Sequence, residues 1–85
     1  MNSHPRLVAS AVCRDGEVIT ALRHAECIHN AILRGWDQPV RSTEQGFVDE
    51  NGKYYSRNDA VAVAIASGQL PESFRKYTLA SEDLW

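Results

Sequence analysis

Residues 7–22 read LVASAVCRDGEVITAL, and this stretch decides the fold. Two short apolar segments, 7–13 and 18–22, lie on either side of Asp15-Gly16. Asp-Gly between two β-prone segments is typical of a two-residue turn, because both positions of that turn favour positive φ angles. The sequence therefore predicts that the chain begins with an antiparallel β-hairpin.

The second half of the chain repeats this pattern. Residues 45–49 are predicted to form a strand, Asn51-Gly52 a tight turn, and residues 53–55 the return strand. Ser56 then has the position and the side chain of a helix N-cap, with Asp59 three residues later at the capping-box position. A second hairpin followed directly by a helix is the expected structure.

A helix is predicted after each hairpin. In residues 24–34 apolar side chains recur three or four positions apart, and Gly35 follows as a helix-ending glycine. The second helix ends at Gly68. The predicted apolar stripes are Ala25, Ile28, Ala31 and Ile32 in the first helix, and Ala60, Val61, Ala64 and Ile65 in the second.

The element order is thus ββαββα, which predicts an α+β fold: one antiparallel sheet with two helices packed on one face. We expect residues 1–6 to form a flexible N-terminal lead and residues 7–85 to form a single domain. Leu84 and Trp85 are apolar residues at the end of the chain, which predicts that the tail docks onto the domain or onto a neighbouring subunit.

The length and the net charge of the chain exclude or disfavour some classes of function. The chain has 85 residues, nine Lys plus Arg against eleven Asp plus Glu, and a formal charge of -2. This length excludes a two-domain enzyme, and this charge argues against a nucleic-acid binder. No apolar run is long enough to cross a membrane. We expect a cytoplasmic protein with no cofactor, in which Cys13 and Cys27 stay reduced.

Arg23 and Arg57 are the most informative charged residues, because each lies where a strand gives way to a helix. A cation at a helix N-terminus opposes the helix dipole, so its presence in both halves calls for an explanation. One is phosphate binding by a guanidinium beside free backbone N–H groups. The other is a structural ion pair with the nearby acids, Glu26 and Asp59, and the sequence does not decide between them.

Histidine, cysteine and phenylalanine residues are the other candidates for chemistry in this sequence. His24, Cys27 and His29 lie close together, but His24 and His29 fall on different helix faces, so we expect no metal site. A Cys-His nucleophile pair lacks an orienting third group. Phe47 alternates with Val48 along its strand, and core packing is the ordinary role of such a ring.

An ordered set of motifs spans nearly the whole chain. The motifs are Arg23-His24-Ala25-Glu26, Gln45 to Asp49, Gly52, Arg57 to Ala60, Gly68-Gln69 and Ser81 to Trp85. This set resembles the anti-Thoeris proteins of phages and prophages, a family that sequesters cyclic ADP-ribose signals of a bacterial immune system without degrading them.

The resemblance implies a non-enzymatic nucleotide binder, with ligand pockets between subunits of a homo-oligomer in the host-cell cytoplasm. It implies that Arg23 and Arg57 hold a pyrophosphate, with His24 in the same ligand-binding set. It also implies that Phe47 stacks on adenine and that Asp83 binds ribose hydroxyls.

Two other functions stay open at this point. The first is a protein-interaction module that inhibits a host defence protein by direct contact, which predicts an exposed aromatic patch. The second, weaker one is a nucleotide hydrolase using His24 or Glu26.

Overall fold

The computed structural model describes residues 4–85, and it contains four strands, two α-helices and two one-turn 3-10 helices. Residues 1–3, half of the predicted N-terminal lead, lie outside the described residues. The strands are β1 (Leu7–Arg14), β2 (Glu17–Ala21), β3 (Gln45–Asp49) and β4 (Tyr54–Ser56). The α-helices are α1 (His24–Leu33) and α2 (Arg57–Ala66), and the 3-10 helices are Ser42–Glu44 and Ser81–Asp83.

The four strands form one antiparallel sheet in the order β2-β1-β3-β4. Both helices pack on the same face of this sheet. Ser10 and Val12 of β1 point to that face, and their cross-strand partners Phe47 and Ile19 lie beneath α2 and α1 respectively. The predicted α+β fold with the order ββαββα is therefore confirmed.

The first hairpin closes through backbone geometry that the sequence predicts. Asp15 has a φ of 51° and Gly16 a φ of 83°, and two successive positive φ angles match the right-handed twist of the flanking strands. Asp15 is the single non-glycine residue with positive φ among residues 4–85. A bulky β-branched residue at this position is therefore expected to weaken the hairpin.

The core divides into two clusters, one under each helix. Under α1, Val12 and Ile19 of the sheet meet Cys27 and Ala31 of the helix. Under α2, Leu7 and Phe47 of the sheet meet small alanines of the helix together with two residues that follow it, which gives the cluster Leu7, Phe47, Ala60, Ala64, Leu70 and Leu79. The alanines let α2 approach the sheet closely enough to cover the large Phe47 ring.

The predicted apolar stripe of α1 is partly wrong. Ala25 is exposed and the Ile32 side chain is 64% exposed, whereas His24, Cys27 and Ala31 are buried. The face of α1 that packs on the sheet therefore contains a histidine and a cysteine. His24 can be buried there because a backbone carbonyl oxygen of the sheet accepts its hydrogen bond. Hydropathy periodicity counts apolar residues only, and so it could not place a hydrogen-bonded histidine on the inner face.

The C-terminal tail docks onto the α2 side of the domain, as the sequence predicts. Leu84 and Trp85 pack against the Phe47 cluster, and Leu79 is fully buried within it. The Gln69 side chain anchors the start of the tail by bonding both backbone groups of Leu7: its Oε1 accepts from the N–H at 2.8 Å and its Nε2 donates to the C=O at 2.8 Å. The Gln69 amide thus forms the pair of hydrogen bonds with Leu7 that the backbone of a neighbouring strand would otherwise form.

Candidate functional site

A cavity of about 390 Å³ opens where the N-terminal ends of α1 and α2 come together beside the start of β3. We call it the arginine cavity. Its floor and walls combine the first turn of α1, the first residue of each of α2 and β3, and the 3-10 turn of the tail. The lining residues are Arg23, His24, Ala25, Gln45, Arg57, Ala80, Ser81 and Glu82.

Arg23 is the N-cap residue of α1, and its own side chain does not cap the helix. The helix geometry leaves the backbone N–H groups of His24 and Ala25 without a carbonyl partner inside the helix. These donors lie at the positive end of the helix dipole, in residues that line the cavity. A guanidinium at this position adds positive charge where the backbone already favours an anion.

Arg57 is the first residue of α2, directly after Ser56, which is both the last residue of β4 and the N-cap. Its Nε donates to the backbone oxygen of Leu79 at 2.9 Å. That bond fixes the plane of the guanidinium and leaves both terminal nitrogens without a partner among the described residues. Arg57 is therefore oriented by the protein and still has donors for a ligand.

The ion pairs in the structure argue against the alternative in which Arg23 and Arg57 pair with nearby acids. Among residues 4–85, the ion pairs are Arg14–Glu44, Arg34–Glu17 and Lys76–Asp83. Neither Arg23 nor Arg57 takes part in one, and neither bonds Glu26 or Asp59. The Asp59 N–H instead bonds the Ser56 hydroxyl as part of the helix cap. Two arginines without carboxylate partners thus share one cavity, which is the arrangement expected of an anion site.

His24 is the buried member of the set, with a relative exposure of 9%. Its Nε2 lies 2.8 Å from the carbonyl oxygen of Gly46, so Nε2 carries a proton and donates it. Burial lowers the pKa of His24, the bond to Gly46 opposes that effect, and the charge of Arg57 lowers the pKa further. Because the pKa is lowered from its ordinary value of 6.5, the neutral ring is the favoured form near pH 7.

Phe47 does not line this cavity. Its side chain is fully buried, with 0% exposure, and the ring contacts His24 edge-on at 4.9 Å and Trp85 at 6.1 Å between centroids. The expectation of a ring stacked on adenine does not fit this position, because the inward face of β3 lies under α2. Phe47 instead supports His24 from below, which is the core role that its strand alternation also allowed.

Asp83 also lies outside the lining of the arginine cavity. Its carboxylate accepts from Lys76 Nζ at 2.8 Å and from the backbone N–H of Ala80 at 2.9 Å. Burial raises the pKa of Asp83, but these two bonds together with the charge of Arg57 outweigh it and lower the pKa. Asp83 holds the 3-10 turn in place, and its neighbour Glu82 takes the position at the cavity.

A second concavity, of about 300 Å³, adjoins the first. We call it the hydroxyl cavity. Gln45 and Arg57 line both cavities and form the boundary between them, and the remaining residues are neutral and polar. These are Ser42, Thr43, Ser56, Asn58 and Thr78.

Three of the residues that the resemblance implies for ligand binding, Arg23, His24 and Arg57, line one cavity. Sequence reasoning missed Gln45, whose side chain lies between the two cavities. The available signal was its position at the head of the Gln-Gly-Phe motif. It also missed the hydroxyl cavity, whose residues come from four separate parts of the chain and form no local pattern.

No group of three or more His, Cys, Asp or Glu side chains within residues 4–85 is arranged to hold a metal ion. None of the helices in that part of the chain is long and apolar enough to cross a membrane.

A family model identifies the family to which the chain belongs. The family model of the phage T4 y16D protein matches residues 6–85, which is nearly the whole chain, so this chain belongs to that family. The expectation of a phage-type protein is therefore confirmed. Neither the curated proteins nor the solved structures contain a match.

Proposed function

We propose that this phage-family protein is a non-enzymatic binder that sequesters a cyclic ADP-ribose-like nucleotide signal and thereby acts against a host defence system. One observation carries the proposal: Arg23 and Arg57, both without a carboxylate partner among the described residues, line one cavity at two helix N-termini. The motif resemblance to the anti-Thoeris family supplies the identity of the ligand class.

The charge pattern favours a diphosphate within the ligand. Two guanidinium groups and the backbone N–H groups of the first turn of α1 all carry donors, and each charge-assisted hydrogen bond is worth about 1.5–3 kcal/mol. Glu82 is the one carboxylate in the lining, and it provides an acceptor for hydroxyl groups. The net charge of -2 does not oppose such binding, because the local pair of arginines sets the field in the cavity.

The cavity supports binding rather than hydrolysis. Glu26 does not line the cavity, and the Nε2 of His24 donates to the Gly46 carbonyl, which leaves Nδ1 as the proton-accepting nitrogen of the neutral ring. A general base must lie within hydrogen-bond reach of a water or a nucleophile, and among the described residues no side-chain nucleophile is hydrogen-bonded to His24. Sequestration needs only affinity and abundance.

We also propose that the protein acts in the host-cell cytoplasm as a homo-oligomer, with a second copy closing the site. The arginine cavity is open to solvent on one side, and the Phe47 ring is buried. An aromatic platform for the base would then come from the partner subunit. Light scattering with and without ligand measures this directly.

The test of the proposed function is titration calorimetry with cyclic ADP-ribose isomers, followed by chromatography of the ligand recovered from the complex. Binding with recovery of intact ligand is the expected result. Arg57→Gln is expected to abolish most of the binding. Arg34→Gln is the matched control, because Arg34 follows the last turn of α1, at the opposite end of that helix from the cavity, about 15 Å away.

Two outcomes count against the proposal. Absence of heat and of thermal stabilisation at high ligand concentration removes the binding function. Recovery of a cleaved product converts the protein into an enzyme.

A second candidate function is inhibition of a host defence protein by direct contact. Tyr77 favours it, since this ring is 90% exposed in the irregular segment before the tail. Tyr77→Ala is expected to leave nucleotide binding unchanged. If it instead abolishes anti-defence activity in cells while Arg57→Gln does not, direct contact replaces sequestration as the function.

A further inference from the structure

The hydroxyl cavity has no role in the phosphate binding described above. It shares a wall with the arginine cavity, since Gln45 and Arg57 line both. A ligand whose phosphates lie against Arg57 therefore has a neighbouring space of about 300 Å³ available to its next chemical group.

The chemistry of this space is distinct from that of the arginine cavity. Apart from Arg57 every side chain that lines it is neutral, and the set is dominated by hydroxyl groups. Hydroxyls donate and accept with equal ease, and amides do both from different atoms. Such a lining matches a ligand group that is itself rich in hydroxyls and carries no charge.

The polar groups of the hydroxyl cavity are available to a ligand. In the part of the chain that the structure describes, the side chains of Thr43, Asn58 and Thr78 make no hydrogen bond to protein, and Gln45 makes none either. Ser56 is the exception, because its oxygen accepts from the Asp59 N–H at 3.2 Å. The available groups come from the 3-10 helix Ser42–Glu44, β3, the start of α2 and the tail segment, so the fold gathers them around one space.

We propose that the hydroxyl cavity is a subsite for the ribose that adjoins the phosphates of the ligand. This rests on the proposed function, and it adds the orientation: the diphosphate lies in the arginine cavity and the sugar lies beyond Arg57. Thr43 and Thr78 discriminate between a sugar phosphate and a bare phosphate, because they line the hydroxyl cavity and not the arginine cavity, so that their hydroxyls pair with the ribose and do not contact an anion bound in the arginine cavity.

The experiment compares inorganic pyrophosphate with ADP-ribose on the wild-type protein and on the double variant Thr43→Val and Thr78→Val. Valine keeps the shape of threonine and removes the hydroxyl. We expect the wild type to bind ADP-ribose at least about tenfold more tightly than pyrophosphate. We expect the double variant to lose most of that advantage and to bind pyrophosphate within about twofold of the wild type.

Thr20→Val is the matched control, since Thr20 is exposed on β2 and lines neither cavity. Both test threonines are exposed, and circular dichroism checks that the double variant is folded. If the double variant is not folded, Thr43→Val and Thr78→Val are measured singly, and each is expected to lose part of the preference for ADP-ribose over pyrophosphate.

The outcomes separate this proposal from the one on which it rests. If the wild type binds neither these probes nor the cyclic ADP-ribose isomers, the proposed function fails and the subsite falls with it. If pyrophosphate binds and the variant retains the full preference for ADP-ribose, the subsite alone is overturned. Equal loss of both probes also overturns it, because a ribose subsite does not affect a bare anion.

Discussion

Arg14 and Arg57 show two opposite uses of the same side chain. The Arg14 guanidinium donates to Glu44 Oε2 at 2.6 Å and Oε1 at 2.7 Å, and to the backbone oxygens of Gln38 and Pro39. Its charge also lies 4.6 Å from the centre of the Trp36 ring. Every one of its nitrogens is used, whereas Arg57 uses Nε alone.

A structural arginine is distinguished from one available to a ligand by how many of its guanidinium nitrogens already bond acceptors in the protein. The Arg14 cluster, formed by Arg14, Trp36 and Glu44, ties the loop between α1 and β3 to β1. Four of the five N–H groups of Arg14 have acceptors in the protein, and both charged side chains are 18% exposed. The arginine cavity keeps its donors free at two helix ends, where the helix dipole makes unpaired cations unfavourable. The predictions below test this contrast.

The largest effect is expected beneath the arginine cavity, at Phe47. Phe47→Ala removes a fully buried ring and is expected to lower the free energy of unfolding by about 3–5 kcal/mol, measured by urea denaturation. Phe47→Leu keeps most of the apolar contact, so ligand binding can be measured on it. If Phe47 only supports His24, the affinity of Phe47→Leu stays near wild type, and a loss as large as that of Arg57→Gln restores the stacking role.

The next largest effect concerns the two free arginines. Arg23→Gln and Arg57→Gln are each expected to weaken binding of ADP-ribose by about 10–100-fold, because each removes a charge-assisted donor. The melting temperature of Arg23→Gln is expected to stay the same or to rise, since its cation opposes the dipole of α1. A marked fall in its melting temperature without a change in affinity would make Arg23 a structural residue like Arg14.

The Arg14 cluster is expected to respond in the opposite way. Arg14→Met and Glu44→Gln are expected to lower the melting temperature and to leave ligand affinity unchanged. The hydrogen bond from Arg14 lowers the pKa of Glu44 to about 2, from an ordinary value of 4.5. The stability contributed by Glu44 is therefore present above about pH 4.5 and is lost as the pH falls through about 2.

Acid unfolding gives the readout for this cluster. Glu44→Gln is expected to show a flatter dependence of stability on pH in that window than the wild type. Glu72→Gln is the matched control, because Glu72 is exposed and its side chain forms no ion pair among the described residues. Identical acid profiles for wild type and Glu44→Gln would show that the ion pair contributes nothing to stability.

The smallest expected effect is the pH dependence of binding through His24. Its pKa is lowered in the free protein, and the charges facing it come from Arg57 and Glu82. A bound diphosphate raises that pKa, so affinity is expected to increase by a few-fold as the pH falls from about 8 to about 6. His24→Gln removes this dependence, and a wild-type affinity independent of pH would show that His24 does not sense the ligand.

The fold could be read from local signals, because each of them acts within a few residues. Asp15-Gly16 sets one hairpin, Ser56 caps α2 through the Asp59 N–H at 3.2 Å, and Gly35 ends α1 with a φ of 93°. Turn geometry and capping depend on the residues at the turn and the cap, whatever lies elsewhere in the chain. Which residues of α1 face the sheet could not be predicted from such local signals. His24 faces inward because it bonds the Gly46 carbonyl, and Gly46 belongs to β3, which is distant in the sequence.

The sequence by itself determined the order of elements, the turns and the positions of Arg23 and Arg57 at helix starts. The tertiary structure alone decided that these arginines share a cavity, that Arg14 is the one locked by a carboxylate, and that Phe47 is covered. The physical reason is range: propensity and capping act over three or four residues. Ion pairing and burial depend instead on groups far apart in the chain: Arg14 and Glu44 are 30 positions apart, and Leu7 and Leu79 belong to the same buried cluster.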